Sequence, residues 1–272
     1  MTIKNLFQHT ETLCTKAVPG APVELAEEHR VTVFLNETPA MQLVCTPEHL
    51  DELVVGRLLT EGLIDSLSAI ESLYICEQGL RAKVFLREDA AWSLSPREEP
   101  EVSSCCTDNL VLLQKKELAL PKLSPVSWQP AQLQTLSRCI REKAPLYAST
   151  HAVHSCFLGR GDEILCGRED IGRHNAVDKV VGWAALNSIE LSQCILFTTG
   201  RMPLDMVRKA IRARVPLLAS KTYPTAEAVA LAKKQGLTLV TLPPHGDVII
   251  WTERAQIKIL AKTRNENIQA LL

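Results

Sequence analysis

The sequence predicts an α/β protein in which a small α+β N-terminal domain precedes a larger C-terminal α/β domain. Three observations lead there. Toward the C-terminus candidate strands and helices alternate in a β-α-β-α-β run, which implies right-handed crossovers between parallel strands. The first half instead groups a hairpin, one helix and a second strand pair. The length of 272 residues exceeds the usual reach of one hydrophobic core, so two domains are expected, over 1–124 and 125–272.

Each element has its own signal. Within residues 22–44, apolar residues alternate at Val31, Val33 and Leu35 before a turn at Asn36, the pattern of a hairpin. Thr46-Pro47-Glu48 supplies a cap, a first-turn proline and an early acid. Leu50, Leu53, Val54, Leu58 and Leu59 follow at helical spacing up to Gly62. Strands over 72–76 and 81–86 flank a Gln78-Gly79 turn. Residues 87–104, rich in Glu, Pro and Ser, and 120–130, with three prolines, read as exposed linker. Beyond it the spacing predicts a helix over 130–143. The alternating run THAVHSC predicts a strand, and residues 167–179 (GREDIGRHNAVDK) enter a helix whose inner face is Ala176, Val177, Val180, Val181 and Ala184. Strands over 194–198, 217–220 and 237–242 then alternate with helices over 203–214 and 226–235.

Composition narrows the function. A formal charge of -1 offers no overall field for nucleic acid or an anionic membrane surface. The start, MTIKNLFQHTETLCTK, lacks a basic segment followed by an apolar stretch, and no window reaches the roughly 18 apolar residues of a membrane span. A cytoplasmic protein is expected. Nine cysteines, an odd number without a paired CxxC arrangement, are expected as thiols.

Three loops leave the carboxyl ends of the predicted parallel strands, at Thr198-Thr199-Gly200-Arg201, at Ser220-Lys221-Thr222-Tyr223-Pro224 and at Pro243-Pro244-His245-Gly246-Asp247. Such loops share one sheet edge, where ligands bind. Gly200 permits close backbone approach, and Arg201 before a helix N-terminus suits a phosphate. Thr and Gly also serve as plain caps, but three such loops together favour a site. Glu169, Asp170, Arg173, His174 and Asp178 crowd another helix entrance. Acids there stabilise the helix dipole, while a His among carboxylates at a loop suits proton transfer or ligand orientation. His151, His154 and Cys156 invite a zinc reading, but a strand turns the two histidines to opposite faces. No metal site is expected. Cys105 and Cys106 are adjacent thiols in a polar stretch, the accessibility that a sulfur carrier needs. The bland alternative is a chance neighbour pair in a linker.

Over residues 22–252 the chain resembles the FdhD family of formate dehydrogenase accessory sulfurtransferases, or sulfur carriers. The resemblance rests on NETPAMQLVCTPEHLDELVVGRLLTEGLI, THAVHSC, GREDIGRHNAVDK, TTGRMPLDMVRKA and PTAEAVALAKKQGLTLV, in that order. It implies a C-terminal three-layer, cytidine-deaminase-like domain with a largely parallel sheet, and a homodimer. It also implies transfer of a persulfide from a cysteine desulfurase to the molybdenum bis-guanine-dinucleotide cofactor destined for formate dehydrogenase. GDP becomes the natural surrogate ligand. The catalytic role falls on Cys106 or Cys105. The implied cofactor site comprises Leu242, Pro243, Pro244, His245, Gly246 and Asp247 in the last loop, Thr199, Gly200, Arg201 and Ser220 in the first two, and Asp170, Arg173 and His174. The sequence departs from the family pattern twice. A CGxCG loop is replaced by Ser103-Ser104-Cys105-Cys106-Thr107, which keeps one cysteine position in either register. Pro244 and Asp247 stand where the family's last loop carries basic residues. A cofactor chaperone that has lost sulfur transfer is the competing expectation.

Overall fold

The structure is a computed structural model that describes residues 1–5, 15–20, 25–88, 94–102, 109–115, 119–243 and 247–252. It contains two principal sheets joined through a helix–helix contact. The first has seven strands in the order β1-β6-β7-β4-β5-β9-β8. Its centre is the predicted hairpin, β4 (His29–Leu35) and β5 (Thr38–Cys45). Asn36 and Glu37 both adopt positive φ, 44° and 67°, as a two-residue hairpin turn that follows the strand twist requires. Asn36 Oδ1 also accepts the Leu86 amide at 2.8 Å, which fastens the turn to its neighbour. β6 (Ile70–Ile75) and β7 (Arg81–Leu86) pair antiparallel as expected, and β1 (Thr2–Asn5) adds a parallel edge to β6. β2 (Thr15–Lys16) and β3 (Leu25–Ala26) form a separate short ladder.

The linker expectation for 87–104 is corrected. Residues Leu94–Val102 form β8 and Leu110–Lys115 form β9, an antiparallel pair that extends the sheet beside β5. β8 is an edge strand with an irregular register between Pro96 and Glu101. An edge with a bulge tolerates prolines, because one side of the strand needs no ladder partner. The stretch before Pro130 is irregular, and Leu123 donates its amide to Gln235 O at 2.8 Å.

α1 (Leu50–Thr60) starts later than the sequence suggests. His49, at φ 54°, occupies the N-cap. Thr46 does not cap the helix, because its amide and hydroxyl bond Asp170 Oδ2 at 3.1 and 3.2 Å.

The second sheet has the order β11-β10-β12-β13-β14-β15. The alternating run appears as β12 (Ile195–Thr198), α5 (Leu204–Arg212), β13 (Leu217–Ser220), α6 (Ala226–Gln235) and β14 (Thr238–Thr241), with the three strands parallel. β10 (His154–Arg160), β11 (Glu163–Asp170) and β15 (Ile249–Ile250) complete it antiparallel. α2 (Pro130–Glu142) covers one face, where Leu133, Leu136 and Ile140 meet Phe157, Phe197 and Val240. α4 (Arg173–Leu186), α5 and α6 cover the other, where Val177, Val181 and Met206 meet Leu158, Leu196 and Leu218. Side-chain alternation along each strand thus builds three layers. The strand expected over THAVHSC begins only at His154. His151 closes the short helix α3 (Pro145–Thr150) at φ 53°, because Pro145 favours the start of a helix that then needs a left-handed exit.

α1 of the first half lies directly on α4 of the second. A Cβ added to Gly56 would fall 1.8 Å from Asp178 O, and one on Gly182 1.8 Å from Glu52 O, so only glycine allows this backbone approach. A charge network sits beside the crossing. Arg57 Nη1 donates to Asp178 Oδ2 at 2.9 Å, Thr60 Oγ1 donates to Asp178 Oδ1 at 2.6 Å, and Lys209 Nζ reaches Glu61 Oε1 at 2.8 Å and Asp178 Oδ1 at 3.1 Å. Burial alone would raise the Glu61 carboxyl, but Lys209 and Arg57, with Arg212, outweigh it and hold it at about 2, below its ordinary 4.5. A carboxylate depressed in this way stabilises the fold above its unfolded value and loses that contribution as the pH falls through the folded one. Melting temperature should therefore drop between about pH 4.5 and pH 2, and Glu61→Gln should flatten that part of the profile. Parallel profiles for the two proteins would contradict the assignment.

Candidate functional site

The candidate site forms where the start of β10, the end of β12 and the first turn of α4 meet. Asp170, the last residue of β11, organises it from beneath. Its Oδ1 accepts the Gly172 amide at 2.8 Å and Asn175 Nδ2 at 2.9 Å, while Oδ2 takes Thr46 and pairs with Lys179 Nζ at 2.7 Å. Both Asp170 and Lys179 are fully buried. With its oxygens engaged inside the protein, Asp170 fixes the α4 entrance rather than lining an accessible surface. Glu169 is also committed: it accepts the amides of Leu146 and Tyr147 at 3.0 and 2.7 Å, opening α3.

That entrance projects Arg173 and His174 under the β12–α5 loop. A Cβ on Gly200 would lie 2.7 Å from Arg173 Cβ, so glycine is what lets the loop pass over the arginine. His174 is buried, with Nε2 3.0 Å from Asp205 Oδ2 in the first turn of α5. Thr199 ties the loop to β10, where its hydroxyl accepts the Ser155 amide at 3.0 Å and lies 3.5 Å from His154 Nδ1.

The electrostatics are positive. The His154 imidazole is held below its ordinary 6.5, first by burial and then by the charge of Arg173, with His174 and Arg201 adding to it against Asp170. The charges of Arg173 and Arg201 that disfavour a cation at His154 would favour an anion there.

Among the described residues, the carboxyl ends of β12, β13 and β14 are tied together at one edge. Gly200 O accepts Ser220 Oγ at 2.7 Å and Thr222 Oγ1 at 3.1 Å, Leu242 donates its amide to Ser220 O at 2.8 Å, and Thr241 Oγ1 donates to Thr222 O at 3.1 Å. Ser220 is buried and committed to these internal bonds, so it braces the loops. Arg201 is exposed, Leu242 and Pro243 half-buried and Asp247 exposed. Pro244, His245 and Gly246 lie outside the described residues, as do Cys105 and Cys106.

Sequence reasoning missed several residues. His154, which the sequence offers as a metal ligand, lies beside Thr199 and within the field of Arg173 and, more weakly, Arg201. Asn109, Asn175 and Thr46 were not singled out. Asn109 is fully buried, accepts the Val44 amide at 2.7 Å and donates to Asn175 Oδ1 at 3.0 Å. Asn175 Nδ2 in turn donates to Val44 O at 2.8 Å. The signal available was Asn109 itself, a polar residue at the head of the apolar run Leu110 to Leu113, where it becomes buried and needs partners.

The buried thiols among the described residues are poor nucleophiles. Cys45, Cys139, Cys156, Cys166 and Cys194 are free and buried. Burial drives Cys45 and Cys156 above the usual thiol range, raises Cys139, and pushes Cys166 to about 12 and Cys194 to about 11. Cys76, half-buried beside the β6–β7 turn, is the remaining free thiol among the described residues.

Comparison with known proteins adds the relatives. The chain is 31% identical over 241 residues to the sulfur carrier protein FdhD of Geobacillus kaustophilus, covering 87% of this chain and 90% of that protein. It is 29% identical over 233 residues to the protein of the same name from Staphylococcus haemolyticus, covering 85% and 88%. A crystal structure assigned as a formate dehydrogenase accessory protein from Desulfotalea psychrophila superimposes with a TM-score of 0.65 at 26% identity, over 88% of this chain and 95% of that one. The family model for FdhD/NarQ matches residues 26–258, a span that contains the second sheet with its strand-end loops and all of the first sheet but β1, and on that match the chain belongs to the FdhD/NarQ family.

Proposed function

We propose that this protein is a sulfurtransferase that carries sulfane sulfur for formate dehydrogenase maturation. It accepts a persulfide from a cysteine desulfurase on Cys105 or Cys106 and presents it to a molybdenum bis-guanine-dinucleotide cofactor held as substrate at the cationic edge. In the loading step a thiolate of this chain attacks the outer sulfur of the desulfurase persulfide. The desulfurase S–S bond breaks, its cysteine leaves as thiolate, and a new S–S bond forms here with no net oxidation. The reading extends to a cytoplasmic homodimer of two-domain chains with a cytidine-deaminase-like C-terminal domain.

The observation that carries it is the juxtaposition at Asn109. Cys106 precedes Asn109 by three positions, a span of at most roughly 11 Å of extended chain. Asn109 is itself bonded to Asn175, two residues after Arg173 on the turn that faces the anion site. The cysteine-bearing segment is thus tethered to the entrance of the edge where phosphates would bind. The raised thiols elsewhere support the same division of labour, since a carrier needs a thiolate.

The pocket half of this reading is tested by calorimetry with GDP. Arg201→Ala should weaken GDP by roughly 1.5–3 kcal/mol through loss of a charge-assisted phosphate contact. Equal affinities in the parent and the variant would remove Arg201 from the site.

A further inference from the structure

The edge that carries Arg201 ends in an aromatic pair that the sulfur-carrier chemistry leaves unused. Tyr223 follows β13 and exposes 60% of its surface, although a large aromatic ring gains by burial. Its ring meets Trp251 edge to face, with centroids 5.7 Å apart and planes at 76°. Such a contact leaves at least one face of the tyrosine open. Trp251 is itself anchored, because its indole Nε1 donates to Thr241 Oγ1 at 2.9 Å. From there one chain of hydrogen bonds runs back across the edge: Thr241 Oγ1 donates to Thr222 O, and Thr222 Oγ1 donates to Gly200 O, each at 3.1 Å. An isolated parallel bridge joins Met202 to Pro224, so Arg201 and Tyr223 each stand one residue before a paired position at the rim.

The rim therefore carries an exposed cation on one loop and, on the neighbouring loop, an open aromatic face held in place by a bonded framework. A nucleoside diphosphate presents the complementary pair, a phosphate charge and a flat π system. We propose that Tyr223 stacks on the guanine base of the bound nucleotide and so selects a base-bearing ligand over a bare diphosphate. The proposal rests on the nucleotide reading of this edge and assigns the base end of it. Its physical basis is that a phenol ring restricted by Trp251 loses little further freedom on binding.

Calorimetry on the full chain, with GDP and with inorganic pyrophosphate as separate probes, tests it. Tyr223→Ala should weaken GDP by roughly tenfold while leaving pyrophosphate affinity and the melting temperature where they are. Tyr223→Phe, which keeps the ring, should restore GDP binding. The inference is overturned if Tyr223→Ala binds GDP as the parent does, or if it loses GDP and pyrophosphate equally, which would make Tyr223 a brace for the phosphate end. A parent protein without GDP affinity would overturn the nucleotide reading and this inference together.

Discussion

Asp178→Ala is expected to destabilise the fold by about 3–5 kcal/mol, a large part of the total stability of an ordinary domain. Asp178 is fully buried and is the acceptor on which Arg57, Thr60 and Lys209 converge. Removing it leaves the Arg57 guanidinium, fully buried in α1, and the Lys209 ammonium, buried in α5, to share the single carboxylate of Glu61, so one of two buried cations loses the charge that offsets its desolvation. The Coulomb gain of the intact network does not make it a net source of stability, because all its members were taken out of water. What is costly is an incomplete network. Since α1 belongs to the first half and α4 and α5 to the second, both sheets should lose protection in a single transition. Denaturant unfolding followed by amide exchange measures this. A midpoint shift worth less than about 1 kcal/mol would contradict the argument, as would a first sheet that melts alone.

Much of the scaffold was legible in the sequence because the burial it reports is periodic. The strands 195–198 and 217–220 and the helix 226–235 read directly, each being a short apolar run or an amphipathic stretch between strong turn or cap signals. β8 was not legible, since Pro96, Pro100 and four glutamates between positions 88 and 101 suggest solvated chain. Its pairing is dictated by β9, whose apolar residues Val111 and Leu113 are buried. Thr46 looked like a helix cap because caps and long-range hydroxyl donors are the same residue type, and only the fold brings Asp170 within 3.2 Å.

The same limit applied to the site. The three loops were found because parallel topology places strand ends together. The roles within them were not readable from residue type. Asp170 and Ser220 look like ligand contacts in a string of letters, but their oxygens are committed within the protein. His154, read from the sequence as a candidate metal ligand, feels the charge of Arg173 and Arg201 only after β10, α4 and the Gly200 loop have assembled.

Loss of sulfur delivery on replacing one cysteine is the second large expected effect. Adjacent cysteines close only a strained eight-membered disulfide, which reduces easily and suits a resting state better than a structural bond. Adjacency also hinders handing sulfur from one thiol to the other, so a single residue should carry the chemistry. The alignment that retains Ser103 and Ser104 within the motif favours Cys106. One of Cys105→Ser and Cys106→Ser should therefore abolish delivery to the cofactor while keeping GDP affinity and melting temperature. The other should retain most of it.

The most direct measurement of the central claim is intact mass after incubation with a cysteine desulfurase and cysteine, combined with persulfide-selective labelling of the parent and the two single variants. One extra sulfur on the parent, absent from one of the two single variants and released when the guanine-dinucleotide cofactor is added, is the predicted result. Equal loading and equal delivery by both variants would contradict it, and would leave a protein that binds the cofactor without supplying its sulfur.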